Sequence, residues 1–278
     1  MKSSIKNINL TDSKQEININ EEDIDAISQN FLISKENEKP EGAKKKGNIE
    51  LDIEQLDNLV DLRNEATSLY RRKQFVEALG RLEDAIRILP GDLELLFFEA
   101  QCLYQLGNLD RAEKILSQLF ELDEGRELTH LPRMLGLCLL KLEKYKEAEK
   151  FLKNITENYR NDIQLKGMLG FALERQDKLD DAALLFERII KEDPENVNAC
   201  NSLAYIYYRQ NKRLDKALSL VKRALRKEPE NAAYLDTIGM ILFKRGDTTQ
   251  ARKSLKKAVK LAPQNKTIMS HLGEMLRI

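Results

Sequence analysis

From residue 51 onwards, apolar residues recur at three- and four-residue spacing in successive blocks. Short polar turns separate the blocks, for example LGNLD at 106–110 and KRGDT at 244–248. This spacing is typical of helices that bury one face. Two blocks joined by one turn make a helical hairpin, so the pattern predicts an all-α chain of consecutive hairpins.

Two independent sets of small residues show that the hairpins repeat at a fixed period. Within each set, successive members lie 34 to 36 residues apart. A period of this length indicates stacked copies of one helical unit. The first set opens the second helices: Ala78, Ala112, Ala148, Ala182, Ala217 and Ala251. The second set lies in the first helices: Ala66, Ala100, Gly136, Gly170, Ala204 and Gly239.

The stretches MLGFALERQDKLDDAALLFERIIKEDP (168–194) and YLDTIGMILFKRGDTTQARKSLKKAVKLAP (234–263) combine Leu-Gly or Ile-Gly, aromatic, alanine and proline positions in a repeating order. In this they resemble the tetratricopeptide repeat (TPR). NSLAYIYYRQNKRLDKAL (201–218) and HLGEML (271–276) are most similar to bacterial TPR proteins. The resemblance covers 59–278. It implies a right-handed α-solenoid that acts as a non-enzymatic scaffold or adaptor for protein–protein interaction.

The repeat markers divide the chain into an arm and a solenoid. Residues 1–50 are polar and are predicted to be a disordered linker arm. Within the arm, residues 20–33 carry apolar residues at helical spacing, which indicates either a short helix that folds on a partner or a chance pattern. The solenoid spans 51–278, with units at about 59–92, 93–126, 129–162, 163–196, 197–231 and 232–265 and a capping helix at 266–278.

The resemblance also implies a binding surface, because the first helices of TPR units line a concave groove. Its mixture of aromatic, Arg and Asn residues suits a peptide or a helix. The alternative, that the aromatic residues only pack between helices, stays open. The candidate groove residues are Arg63, Tyr70, Phe97, Gln101, Tyr104, Arg133, Phe171, Asn201, Tyr205, Tyr208, Arg209, Asp236, Phe243 and Lys244, with Glu174 and Arg175 at two further groove positions.

Charge is balanced overall, with 46 basic and 46 acidic residues, but it is unevenly distributed. Residues 51–128 hold 9 basic and 17 acidic side chains, whereas 197–278 hold 17 and 6. The excess predicts a basic patch on the outer, convex surface, formed by Lys222, Arg223, Arg226, Lys253, Lys256, Lys257 and Lys260. Three alternatives stay open for it: an adaptor for nucleic acid or anionic surfaces, self-association with the acidic first units, and a solvated face. Nucleic acid is disfavoured because no nucleic-acid-binding motif occurs.

The sequence contains no motif of catalytic, cofactor-binding or metal-binding residues. Its two histidines, His130 and His271, lie in distant units, and Cys102, Cys138 and Cys200 are interpreted as small buried residues. We therefore expect no enzymatic activity and no cofactor, although an accessory role in an enzyme complex is an alternative. The sparse cysteines and the lack of a long apolar stretch predict a cytoplasmic protein without a transmembrane segment.

Overall fold

The computed structural model describes residues 51–122, Leu128 and 130–277. The predicted arm at 1–50 and its helix at 20–33 lie outside the described residues. Thirteen α-helices account for the regular structure of these described ranges, with no β-strand among them. The all-α class predicted from the hydrophobic pattern is therefore confirmed.

The chain separates into two compact units, which we call the N-terminal block (51–160) and the C-terminal block (161–277) over the described residues. The N-terminal block contains three hairpins: α1 (Ile53–Arg71) with α2 (Phe75–Ile88), α3 (Leu93–Gln105) with α4 (Leu109–Leu122), and α5 (Leu131–Lys141) with α6 (Tyr145–Asn158). The C-terminal block contains α7 (Ile163–Arg175) with α8 (Leu179–Glu192), α9 (Val197–Arg209) with α10 (Leu214–Lys227), α11 (Ala232–Lys244) with α12 (Thr248–Leu261), and then α13 (Lys266–Leu276).

Most first helices begin at an Asp or Asn whose side chain accepts a hydrogen bond from a backbone N–H of the first turn. These caps satisfy donors that the helix itself leaves unpaired. The capping residues are Asp52, Asp92, Asp162, Asn196, Asn231 and Asn265. Helix α5 differs: His130 makes no side-chain cap, and Pro132 occupies the first turn, where its missing N–H costs nothing.

Each hairpin turn contains a residue in the left-handed region of backbone conformation. Glycine adopts this region without strain, and it does so at Gly107 (φ 77°) and Gly246 (φ 87°). The turn between α9 and α10 is one residue longer and holds two non-glycine residues there, Asn211 (φ 52°) and Arg213 (φ 51°). The inserted residue is thus absorbed in the turn, and the helices on either side keep their pairing.

The repeat markers are packing positions between the two helices of a hairpin. All six alanines of the first marker set are completely buried. In the C-terminal block, a Cβ atom added to Gly170 would lie 2.7 Å from the Phe186 ring, and one added to Gly239 would lie 2.6 Å from Leu255 Cγ. Real Cβ atoms do not approach that closely, so glycine at these positions lets α7 and α11 pack against their partner helices.

Successive first helices pack side by side in the C-terminal block. Helices α7, α9, α11 and α13 each contact the next in that order, whereas the second helices of the described residues make no comparable contact with one another. We call this set of helices the first-helix row. It is the framework on which the candidate groove residues of this block are placed.

Candidate functional site

The structure divides the predicted groove residues into a buried group and an accessible group. The side chains of Tyr70, Phe97, Gln101, Tyr104, Asn201, Tyr205 and Asp236 are buried. Those of Arg63, Arg133, Phe171, Tyr208, Arg209 and Phe243 are partly accessible, and Lys244 is exposed. The candidates therefore include side chains that pack between helices as well as side chains that a ligand could contact directly.

Cationic groups lie near aromatic rings along the first-helix row of the C-terminal block. A cation within about 6 Å of a ring centroid is attracted by the negative face of the ring. The distances to the ring centroids are 5.8 Å for Arg175 and Phe171, 6.0 Å for Arg209 and Tyr205, and 4.8 Å for Lys244 and Tyr208. The Tyr205 and Tyr208 rings lie 6.0 Å apart. The row thus combines flat apolar surface with positive charge over three neighbouring helices.

Arg209 forms ion pairs within the first-helix row. Its guanidinium donates to Glu174 Oε1 at 2.5 Å and to Asp177 Oδ1 at 2.6 Å, and this links α9 to α7. The carboxylate of Glu174 is almost fully buried, so the ion pair compensates for its lost hydration. Arg209 therefore holds α9 against α7 through its two ion pairs.

Asn201 presents an unsatisfied acceptor on the same side of α9. Residues 201, 205 and 208 follow helical spacing, so they share one face of that helix. The side chain of Asn201 is 4% exposed, and its Oδ1 atom has no hydrogen-bond partner. A buried acceptor without a donor costs about 1–3 kcal/mol of stability.

At the C-terminal end of the row, His271 of α13 pairs with Asp236 of α11. The imidazole Nδ1 lies 2.8 Å from Asp236 Oδ2, and Asp236 is 2% exposed. Burial lowers the pKa of His271, but the hydrogen bond and charge of Asp236 outweigh burial and hold that pKa above its ordinary value. The sequence predicted no partner for this histidine. The sequence did contain a signal for this pairing, because His271 lies on a first helix one repeat after Asp236.

The N-terminal block repeats the same kinds of contact on its own first helices. Lys141 Nζ lies 4.4 Å from the Tyr104 ring centroid, and Arg63 donates to Glu94 at 2.6 Å. Gln101 is completely buried, and neither its Oε1 nor its Nε2 atom has a hydrogen-bond partner. Because this amide is packed inside the block, a ligand does not reach it directly.

The predicted basic patch lies on α10 and α12, both second helices. Lys222, Arg226, Lys253, Lys256, Lys257 and Lys260 are exposed. Arg223 is only partly exposed, and its guanidinium approaches Cys200 Sγ at 2.7 Å. Lys257 donates to the Pro229 carbonyl at 3.1 Å. The patch therefore offers six exposed cations rather than seven.

The cysteines are small buried residues. Cys102, Cys138 and Cys200 are buried and form no disulfide, which confirms the sequence-based interpretation. Burial raises the pKa of Cys102 and of Cys138 to about 12, so these thiols stay protonated at neutral pH. No group of three or more His, Cys, Asp or Glu residues within the described ranges is arranged to hold a metal ion. None of the described helices has both the length and the apolar composition to cross a bilayer.

Two family models, both described as tetratricopeptide repeat, match the sequence. One matches residues 69–131 and 173–241, and the other matches 232–265. Together the matched residues make up more than half of the chain. No curated protein matches the chain at a significant level.

Solved structures share the fold at low sequence identity. A tetratricopeptide repeat protein from Parabacteroides merdae is 17% identical with a TM-score of 0.64, over 93% of this chain and 94% of its own. The type IV pilus biogenesis factor PilW is 16% identical with a TM-score of 0.63, over 80% and 100%. MamA from Desulfovibrio magneticus RS-1 is 22% identical with a TM-score of 0.57, over 62% and 96%. These similarities confirm the predicted solenoid class and concern the fold alone.

Proposed function

We propose that this chain, which belongs to the tetratricopeptide repeat family, is a non-enzymatic scaffold and holds a peptide or helix along its first-helix row. The TPR fold is a scaffold for protein–protein interaction, because stacked hairpins present an extended surface. The observation that supports the finer proposal is the set of partly exposed aromatic side chains, Phe171, Tyr208 and Phe243, on three successive first helices.

The accessible side chains of the row indicate the chemistry of the peptide. Phe171, Tyr208 and Phe243 are partly exposed on three successive first helices, and they offer apolar surface for aliphatic or aromatic anchors. The Arg175 guanidinium and the Lys244 ammonium lie 5.8 Å and 4.8 Å from the Phe171 and Tyr208 ring centroids and place positive charge beside this apolar surface. We therefore propose a ligand with apolar anchors, carried on an extended segment or on an amphipathic helix.

Selection from a displayed random-peptide library with the purified full-length chain tests this proposal. Peptides that are enriched should bind in calorimetry, and Tyr208→Ala combined with Phe243→Ala should weaken them by about tenfold or more, because two anchor contacts are lost.

The matched control is Leu184→Ala on α8, a second helix, where the leucine is 54% exposed. It should leave peptide affinity unchanged. Melting temperatures of all variants show whether each still folds. If no peptide is enriched, or if the variants in the first-helix row bind as tightly as the parent, the row is not the binding surface.

A second candidate function rests on the exposed cations of α10 and α12. Asp215, the single acidic residue within these two helices, is already paired with Arg245. An anionic surface would therefore meet little repulsion there. Retention on vesicles with anionic headgroups should fall with added salt and should be lost in Lys253→Glu combined with Lys256→Glu and Lys260→Glu. Equal retention of parent and variant would remove this candidate.

A further inference from the structure

Helix α13 carries the packing face of a first helix, but no described helix covers that face. In the preceding hairpin, a Cβ atom on Gly239 would lie 2.6 Å from Leu255 of α12. Gly273 occupies the same repeat position 34 residues later, and a Cβ atom added there would meet nothing within 4 Å. The close contact that a second helix makes in a complete hairpin is therefore missing at α13.

The exposure of the neighbouring apolar residues shows the same difference. Met269 and Leu276 of α13 are 50% and 52% exposed. Their counterparts one repeat earlier, Leu235 and Leu242 of α11, are 8% and 7% exposed. Helix α13 thus presents an apolar strip of the shape that a packed helix covers elsewhere in this block.

Helix α1 presents an exposed apolar stripe of its own. Ile53, Leu56 and Val60 are 79%, 44% and 45% exposed. Their spacing of three and four residues places them on one side of the helix, and this is the pattern of a helix that docks into an apolar groove. Within the described residues, α1 and α13 each therefore leave an apolar helix face uncovered.

The charges beside the two faces differ: acidic side chains flank the α1 face, whereas basic side chains, together with Glu274, flank the α13 face. Glu54, Asp57 and Asp61 are exposed on α1. Lys266 and Arg277 are exposed at the two ends of α13, and Lys260 is exposed on the adjacent α12. Opposite charges around an apolar contact favour association and set its orientation.

We propose that the chain associates head to tail with a second copy of itself, with α1 of one copy packed on the uncovered face of α13 of the next. The contact joins two different surfaces, so each added copy leaves one α1 face and one α13 face free. Such a contact extends into an open chain unless its geometry closes a ring. The acidic helix α1 of one copy thereby pairs with the basic C-terminal helices α12 and α13 of the next.

Sedimentation velocity of the full-length chain over a concentration series tests this. The parent should increase in mass with concentration up to about 100 µM, and added salt should weaken the association. The tail variant Met269→Lys with Leu276→Lys and the head variant Leu56→Asp with Val60→Asp should each associate at least about tenfold more weakly, because each places charges in an apolar contact.

Mixing the two variants is the decisive measurement. The tail variant keeps an intact α1 and the head variant keeps an intact α13, so together they should form a one-to-one dimer and stop there. The matched control, Val76→Lys with Leu184→Lys, changes two other exposed apolar residues, which are 66% and 54% exposed, and should associate like the parent. A monomeric parent, or variants that form no mixed dimer while retaining the parent's melting temperature, would overturn the proposal.

Discussion

His271 Nδ1 lies within hydrogen-bonding distance of both carboxylate oxygens of Asp236, at 2.8 Å and 3.0 Å. The pair joins α13 to α11 in a nearly dry environment, since Asp236 is 2% exposed. Ile268 and Met275 of α13 are buried beside it and supply the apolar part of the same attachment. The last helix is therefore held by a contact whose strength depends on the charge of an imidazole.

Replacing His271 with Ala should lower the free energy of unfolding by about 1–3 kcal/mol at pH 6, because the buried carboxylate of Asp236 loses its charged partner. Urea unfolding followed by circular dichroism measures the change. Lys266→Ala, which alters an exposed cation on the same helix, serves as the control and should have a much smaller effect. Equal losses in the two variants would mean that the pair adds nothing specific.

The same pair predicts how stability depends on pH. Asp236 holds the pKa of His271 above its ordinary value, despite the opposing effect of burial, so the folded chain binds this proton more tightly than the unfolded chain. The stabilisation is complete below the unfolded pKa of about 6.5 and is lost as pH rises through the higher folded value.

Unfolding titrations from pH 5.5 to 9 measure this dependence, in which the parent should lose stability above about pH 6.5. Asp236→Asn keeps the shape of the side chain and removes its charge, so it should lose much less stability over that window. If Asp236→Asn loses as much stability as the parent across the whole pH range, other groups cause the pH dependence.

Two glycines at one repeat position should respond in opposite ways to alanine. Gly239→Ala forces a Cβ atom to within 2.6 Å of Leu255 Cγ, and the overpacking should cost about 1–3 kcal/mol. Gly273→Ala meets nothing within 4 Å, and the better helix propensity of alanine should stabilise the chain by up to about 0.5–1 kcal/mol. Urea unfolding at low protein concentration measures both. Stabilisation by Gly239→Ala would show that α11 and α12 separate readily.

Glu99 in the N-terminal block should destabilise the folded chain when Arg111 is removed. Glu99 is 5% exposed and receives a 2.5 Å hydrogen bond from Arg111. Burial raises the pKa of Glu99, while Arg111 opposes that increase. Arg111→Met should therefore cost about 1–2 kcal/mol at pH 7.5, since it leaves a buried charge unpaired.

The cost of Arg111→Met should shrink as pH falls towards 4.5, because the variant can then protonate Glu99. Glu99→Gln combined with Arg111→Met is the control, and its stability relative to the parent should depend less on pH. Unfolding titrations at several pH values distinguish the two variants. A cost of Arg111→Met that does not change with pH would point to lost packing of the arginine stem.

The buried cysteines should react only when the structure opens. Cys102 and Cys138 are fully buried and have a pKa of about 12, so the thiolate is scarce even at pH 8. A chromogenic disulfide reagent should label the folded chain slowly and all three thiols rapidly in denaturant. Rapid labelling of the native chain would mean that α3, α5 or α9 opens locally.

The hydrophobic pattern predicted the helical hairpins because each helix buries one face, and a buried face appears directly in the sequence as three- and four-residue spacing. The small-residue period predicted where paired helices approach each other, as Ala182 and Gly239 illustrate. The exposure of the groove residues was harder to predict. Gln101 and Tyr208 are both predicted groove residues, but Gln101 is buried and Tyr208 is partly exposed. Their exposure depends on neighbours from adjacent repeats.

The sequence by itself determined the helices, their pairing and the family, since these follow from local spacing and from a period that every repeat restates. Only the tertiary structure decided which side chains meet across repeats. It placed His271 against Asp236 and left Gly273 uncovered where Gly239 is covered. The physical reason is that burial and ion pairing depend on atoms of other helices, and the spacing within one repeat does not specify those atoms.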